Sequence, residues 1–452
     1  MSKKNIERMV VIGGVAAGMS AASQAKRRQK DLEVIVLEKT GWVSYGACGM
    51  PYNIEDANRK IDDLVVISAE RFRTERGIDV RTRTEAVEID LAKHEVVSKR
   101  PDGQGRIGFD RLVIATGCAP IHPDLDGMDL PGVFQLHTLD QAASIKRWLN
   151  DPSLKRAVVV GGGHIGLEMV DVLTARGLAV TLLRRSPSVP SGAPREITAQ
   201  VEAELNKYGV EVRTGQNVIG FEGQGKVQRV LTSSGPLDAD IAIVATGVRP
   251  AVDLAQKAGI EIGSSGAIAV NDHMATSAPG VFAAGDCAEA YHLILHKGMF
   301  IPRGTTANKQ GKIAGANAVG ADEKFRGVMG TSVMRIFGLS VANTGITDAQ
   351  AQEAGIEAQS VMIKSKTRAH AYPGAKDIMV RLLFQPAGGK LLGAYMVGGE
   401  GVAKRIDVIV TALTAGFTVQ DLASLDLSYA PPFAPVWDPI LVAANIAKKK
   451  VH

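Results

Sequence analysis

The chain has 452 residues, 45% hydrophobic and 22% charged, with a formal net charge of +5. That length is too great for one ordinary core and predicts two to four domains, and the composition excludes a disordered chain. The mild, dispersed positive charge suits an anionic small molecule and gives no case for nucleic acid, while three cysteines make no disulfide framework and suit a reducing cytoplasm.

The N-terminal stretch MSKKNIERMVVIGG lacks the long apolar run and cleavage site of a signal peptide. Residues 9–18, MVVIGGVAAG, read as a buried strand entering a glycine-rich turn. A helix of small residues follows at MSAASQAKRR, then a second buried strand, LEVIVLEK, ending at Glu38. This strand–turn–helix–strand unit resembles a dinucleotide-binding unit: bare helix-start amides receive a pyrophosphate, and an acid about twenty residues on accepts from a ribose. The G-x-G-x-x-G spacing holds at Gly13 and Gly18, with Val15 in the middle place.

Residues 42–52, WVSYGACGMPY, set Cys48 among glycines just before a proline, with no second cysteine nearby. Cys118 and Cys287 are read as small fillers at strand ends. LVIATGCAP (112–120) reads as a strand ending in Ala-Thr-Gly, and AIVATGVRP (242–250) repeats it. Between them AVVVGGGHIGLEM, starting at Ala157, meets the full glycine pattern at Gly161, Gly163 and Gly166. No acid follows its second strand; Arg184 and Arg185 stand there, and guanidinium groups attract a ribose 2′-phosphate, so the second unit leans to NADPH over NADH.

GVFAAGDCAEA (280–290) ends a strand on Asp286, a carboxylate suited to a ribitol chain. A helix after TTANKQGKIAGANAVG would aim its N-terminus at a flavin ring and favour negative charge there. From about residue 330 the pattern changes. TSVMRIFGLSVANTG, IMVRLLFQ and KLLGAYMVGG read as alternating strands, and RIDVIVTALTAG and VWDPILVAANIAKK as helices. The run IDVIVTALTAGFTV is too short and interrupted to span a bilayer.

Taken in order, these motifs resemble the FAD-dependent pyridine nucleotide–disulfide reductase superfamily over nearly the whole chain. The resemblance implies an α/β fold with two Rossmann-like dinucleotide-binding domains and a C-terminal α+β dimerisation domain. Its boundaries would be 1–117 with 248–327 for FAD, 118–247 for NAD(P), and 328–452 for dimerisation. The cysteine pair and C-terminal histidine of glutathione reductase are missing. A lone cysteine must cycle through a sulfenic acid or a mixed disulfide with a small thiol. That is the single-cysteine branch of NADH peroxidases, NADH oxidases, and coenzyme A-disulfide, persulfide and polysulfide reductases. The peroxidases carry a histidine in the first glycine turn, where this chain has Ala16.

The coenzyme A group is the most similar. ASQAKRR resembles its phosphate-binding helix, SYGACGMPY its cysteine loop, and HAYPGA and YAPPF its two C-terminal tyrosines. The resemblance implies Cys48, Tyr372 and Tyr429 as catalytic, with the tyrosines reaching the cysteine of the partner subunit in a homodimer. It implies cofactor contacts at Gly13, Gly14, Ala17, Gly18, Glu38, Lys39, Ser44, Ala86, Thr116, Gly117, Asp286 and Ala307. Further cofactor contacts are implied at Gly161, Gly163, Ile165, Gly166, Glu168, Arg184, Arg185 and Gly247. Coenzyme A contacts would be Ser20, Gln24, Arg27, Ser44, Arg76 and Asn308, with Lys309 beside them. No metal, membrane or nucleic-acid partner is implied. His164 stands where many members carry a tyrosine over the flavin, and Trp437 where some carry a basic residue, so gating and part of the phosphate clamp are expected to differ. The activity implied is reduction of CoA disulfide or CoA persulfide by NADPH or NADH; the alternative is a water-forming NADH oxidase cycling through Cys48 sulfenic acid. A non-catalytic, electron-passing flavoprotein would have little need of Cys48.

Overall fold

The computed structural model describes residues 6–186, 189–190 and 192–452; the first five residues, where the N-terminal reading begins, lie outside them. Two five-stranded parallel sheets are built to the same plan. The first runs Val281–Ala283, Arg111–Ile114, Arg8–Ile12, Glu33–Leu37, Asp79–Arg81. The second runs Glu211–Arg213, Ala179–Leu183, Arg156–Val160, Ile241–Val244, Val133–Phe134. Runs such as RMVVI, EVIVL, RAVVV and IAIV have apolar residues at successive positions because both faces of a parallel strand are covered. Each sheet carries its own three-stranded antiparallel ribbon, at residues 85–108 and 218–238.

The stretches after the two Ala-Thr-Gly runs pair with each other: Cys118–Pro120 lies antiparallel to Val248–Pro250. The chain therefore leaves the first sheet and returns to it through one two-stranded connection.

The C-terminal part is one antiparallel sheet ordered Ser332–Ile336, Leu339–Gly345, Leu391–Gly398, Asp377–Phe384, Gln359–Lys366. Its central strand Leu391–Gly398 is buried at every position rather than on one face. One side packs with the helices Val402–Ala415 and Pro439–Lys448. The other side, through Tyr395 and Val397, joins the core of the second parallel sheet. Met50 and Ile54, from the helix Met50–Glu55 just after Cys48, belong to that same core. Cys48 thus sits where the cysteine loop, the second parallel sheet and the C-terminal sheet meet. No helix among the described residues is long and apolar enough to cross a membrane.

Candidate active site

Both glycine turns share one construction. Gly13 and Gly161 hold φ of 104° and 111°, and a Cβ on either would overlap the carbonyl oxygen of Ala115 or Ala245. A Cβ on Gly18 or Gly166 would overlap the carbonyl of Gly13 or Gly161, so the following helix can pack only on glycine. The Gly13 amide donates to Leu37 O at 2.8 Å and the Gly161 amide to Leu183 O at 2.9 Å.

The residue after each second strand then closes on the middle of its turn, with opposite polarity. Glu38 Oε2 accepts from the Gly14 amide at 2.8 Å, and its Oε1 from the Thr40 amide at 2.8 Å. Arg184 instead donates through Nη1 to the Gly162 carbonyl at 3.2 Å and through Nε to Ser186 Oγ at 2.8 Å. Arg184 is buried and Arg185 exposed, so the pair divides: one braces the turn and the other is open to a ligand.

The helix starts at the two glycine turns and after Arg303 carry no side-chain cap: Val15 before Ala16–Arg28, Gly163 before His164–Ala175, and Arg303 before Gly304–Ala318. Ser68 and Thr138, by contrast, cap their own helices. Bare amides over Cβ-free turns fit the two pyrophosphates of FAD and a nicotinamide nucleotide. Two of the buried side-chain atoms without a partner among the described residues, His164 Nε2 and Arg303 Nε, belong to those same helix starts and also fit a bound group. Ala17 and Ala307 are buried, and the Gly285 amide beside Asp286 donates to Gln310 Oε1 at 2.9 Å. Thr116 Oγ1 donates to Ala251 O at 2.7 Å, and Gly117 and Gly247 hold positive φ. Ser44 is left-handed at φ 48°, its amide donating to Gly14 O at 2.8 Å, which ties the cysteine loop to the first turn. Ala86 and Ile165 are half-buried and Lys39 exposed.

Cys48 lies in the short turn Ala47–Gly49 that runs into the helix Met50–Glu55. It is exposed, yet protein crowds it enough that lost solvation is the first cause raising its thiol above the usual range. Glu168 and Asp286 raise it further; Arg303 lowers it. Cys118 is not a plain filler: its S–H donates to Asp286 Oδ2 at 3.5 Å, and burial with that carboxylate pushes it up to about 12. It stays a thiol beside the site. Cys287 is buried, as expected of a filler. Burial and Arg303 hold His164 down at about 4, so it is neutral at pH 7.

The coenzyme A candidates other than Ser44 lie on three helices, Ala16–Arg28, Ala69–Arg76 and Gly304–Ala318. Ser20 Oγ donates to Asn308 Oδ1 at 2.8 Å, joining Ala16–Arg28 to Gly304–Ala318. Arg27 donates to Gln24 Oε1 at 2.8 Å, and Arg76, stacked over Phe72 at 5.1 Å, reaches Ser23 Oγ at 3.5 Å. Lys309 is exposed beside them. Tyr372 and Tyr429 lie apart from this group. Both are exposed on the C-terminal part, where their segments join through the Ala369 amide and Pro431 O at 3.2 Å. Among the described residues neither hydrogen-bonds to the cysteine loop within one chain.

Three site residues escaped the sequence reading. Arg303 precedes the helix Gly304–Ala318 as a lone charge in IPRGTT, and Tyr52 follows Cys48 by four residues. Lys146 gave no signal: its buried ammonium donates to Asn53 O at 2.9 Å, Asn53 Oδ1 at 3.1 Å and Asp56 O at 2.8 Å, with Arg59 O as a fourth acceptor. Four acceptors satisfy a cation that burial would otherwise penalise, and they anchor the Cys48 helix to the helix Leu139–Trp148.

Residues 7–311 match the family described as pyridine nucleotide-disulphide oxidoreductase, and residues 331–439 match its dimerisation domain. The NAD(P)H sulfur oxidoreductase (CoA-dependent) of Pyrococcus furiosus is 39% identical, over 99% of this chain and 100% of its own. A protein of Methanocaldococcus jannaschii named NADH oxidase is 36% identical, over 98% of this chain and 99% of its own. The solved NAD-dependent persulfide reductase from A. fulgidus superposes with a TM-score of 0.95 at 38% identity, covering 98% of this chain and 83% of that one.

Proposed function

The chain belongs to the pyridine nucleotide-disulphide oxidoreductase family, and on that premise we propose that it is an FAD-dependent NAD(P)H oxidoreductase that reduces CoA disulfide or CoA persulfide through Cys48. One observation carries the reading: Cys48 is a single exposed thiol set among Glu168, Asp286 and Arg303, and Cys118, which shares Asp286 with it, is held protonated. With no resolving cysteine, the partner in the disulfide is a small thiol. The relatives' names supply coenzyme A, and Ser20, Gln24, Arg27, Arg76 and Asn308 offer hydroxyl, amide and guanidinium groups for its phosphates and pantetheine arm.

The first glycine turn, Glu38, Asp286 and the start of the helix Gly304–Ala318 would hold FAD; the second turn, Glu168 and the exposed Arg185 would hold NADPH or NADH. Bound there, FAD supplies the two-electron path from nicotinamide to a disulfide. The chain's own chemistry is at the sulfur. The Cys48 thiolate attacks the CoA-bound sulfur of the persulfide, forming Cys48–S–S–CoA and releasing hydrosulfide; with CoA disulfide the leaving group is CoA thiolate. Two electrons and a proton then return both sulfurs to thiol and thiolate. Arg303 favours the thiolate form of Cys48. We assign Tyr372 and Tyr429 to the second subunit of a homodimer, each reaching across to donate a proton to the departing CoA thiolate. The domain limits that accompany this reading are 1–117 with 248–327, 118–247 and 328–452, in a cytoplasmic enzyme.

The test is anaerobic turnover of the FAD-loaded protein with NADPH or NADH, offered CoA persulfide and CoA disulfide side by side. We expect turnover of at least one, abolished in Cys48→Ser. If the nicotinamide nucleotide is consumed only when oxygen is admitted, the protein is a water-forming oxidase and the CoA reading fails.

A further inference from the structure

Tyr52 occupies a position where its ring and its hydroxyl answer two opposite charges. Its hydroxyl donates to Glu168 Oε1 at 3.1 Å. The guanidinium of Arg335, from the strand Ser332–Ile336, lies over its ring at 5.3 Å from the centroid. Arg335 also pairs with Glu55 at 3.2 Å and approaches Asp171 at 3.7 Å. Asp171 Oδ2 in turn accepts the Phe337 amide at 3.0 Å. Three parts of the fold converge here: the helix after Cys48, the helix after the second glycine turn, and the C-terminal sheet.

The hydroxyl is the part that packing does not explain, since phenylalanine would fill the same space and keep the ring under Arg335. What the hydroxyl changes is Glu168. That carboxyl is crowded by protein, and burial raises its proton affinity, as does Asp171 on its own helix; Tyr52 and Arg335 draw it back down. Tyr52 is itself pushed up to about 12, by burial first and then by Glu168, so it remains a donor across the working range.

We propose that Tyr52 is a positioning residue for the nicotinamide nucleotide: with Arg335 behind it, its hydroxyl holds Glu168 as an aimed acceptor for the nicotinamide carboxamide. The inference rests on the reading of Glu168 as a nicotinamide contact. It adds that the helix following Cys48 and the C-terminal sheet both help set nucleotide affinity, so nucleotide binding and the thiol loop are mechanically tied.

The experiment uses the FAD-loaded enzyme and titrates NADPH and NADP⁺ binding directly, with no sulfur acceptor present. Tyr52→Phe should weaken binding and raise the nucleotide KM roughly three- to tenfold, with kcat at saturation changed less than twofold. The acid limb of kcat/KM should move to higher pH, because a carboxyl that loses a donor to its charged form takes up its proton sooner as pH falls. Arg335→Gln should move the limb the same way, and the two changes together should fall short of their sum. Unchanged nucleotide affinity and an unmoved limb in Tyr52→Phe would overturn the proposal, even if the melting temperature fell. Glu168→Gln separates the two claims. If it binds nucleotide as tightly as the parent, the reading of Glu168 fails; if it weakens binding while Tyr52→Phe does not, only the role of Tyr52 fails.

Discussion

The proposed reaction needs Cys48 as a thiolate, yet most of its surroundings oppose that charge. Lost solvation, Glu168 and Asp286 all raise the thiol, and Arg303 is the charged side chain that counters them. Removing that guanidinium should therefore leave the thiol harder to ionise. We expect Arg303→Leu to slow alkylation of reduced Cys48 by iodoacetamide roughly three- to tenfold at pH 7.5, with the rate–pH curve moved to higher pH and Arg303→Lys between the two. A rate–pH curve that stays in place would remove Arg303 from the account. Cys48 itself was legible in the sequence, because a cysteine among glycines before a proline marks a shaped loop rather than a packed core. Arg303 and Tyr52 were not. Their roles depend on neighbours about 255 and 116 residues away along the chain, and no local pattern of charge or periodicity encodes such a meeting. The sequence pattern alone predicts both arginines after the second strand as phosphate ligands. The fold parts them because the first position after the strand faces the glycine turn, where Arg184 is spent on the Gly162 carbonyl, and the next faces outward.

The elements that could be read in advance were those whose pattern is dictated by burial on both faces. The four strands flanking the glycine turns and the Ala-Thr-Gly strands show this, and so do the turns themselves, where a Cβ has no room. The strand Gln359–Lys366 passed unread, since only Val361 and Ile363 are buried among lysines and serines. Equally silent was the closeness of the helices Ala16–Arg28 and Gly304–Ala318, whose N-termini both open on the candidate FAD site. A Cβ on Gly311 would overlap the Ala17 carbonyl, and one on Gly315 the Ala21 carbonyl. Two opposed effects can be weighed here. Glycine to alanine gains about 1 kcal/mol of helix propensity, but forcing backbone apart in a packed contact costs about 1–3 kcal/mol, more when the obstacle is a carbonyl that cannot rotate away. Overpacking should win. Gly315→Ala is expected to unfold at lower urea concentration than the parent and to retain less FAD after gel filtration. An unchanged or raised midpoint would show that the helices can part without cost.

At the scale of the whole molecule, one chain leaves an apolar surface of its C-terminal part uncovered. Tyr429, Phe433, Val436 and Trp437 form an exposed apolar run, with Phe433 78% and Trp437 62% accessible, the kind of surface that a partner covers. The run falls within the matched dimerisation domain, 331–439. It is continuous with the segment bearing Tyr372, through the Ala369–Pro431 hydrogen bond. In a two-fold dimer, whatever this segment does on one site it does on both, because the two interfaces are the same surface. That symmetry yields a test that separates sharing from self-sufficiency. Cys48→Ser subunits keep their tyrosines; Tyr372→Phe/Tyr429→Phe subunits keep their cysteine; each homodimer should be nearly inactive. If each tyrosine pair serves the opposite cysteine, a mixed dimer has one site with both defects and one with neither. Unfolding and refolding the two variants together in equal amounts makes half the dimers mixed. Activity should then return to about one quarter of the parent value, since half the dimers each carry one intact site of two. If the tyrosines act on the cysteine of their own chain, every site in every dimer keeps one defect and mixing restores nothing. Native mass spectrometry of the same sample, resolving the mixed species, tells that outcome apart from a failure of the chains to exchange.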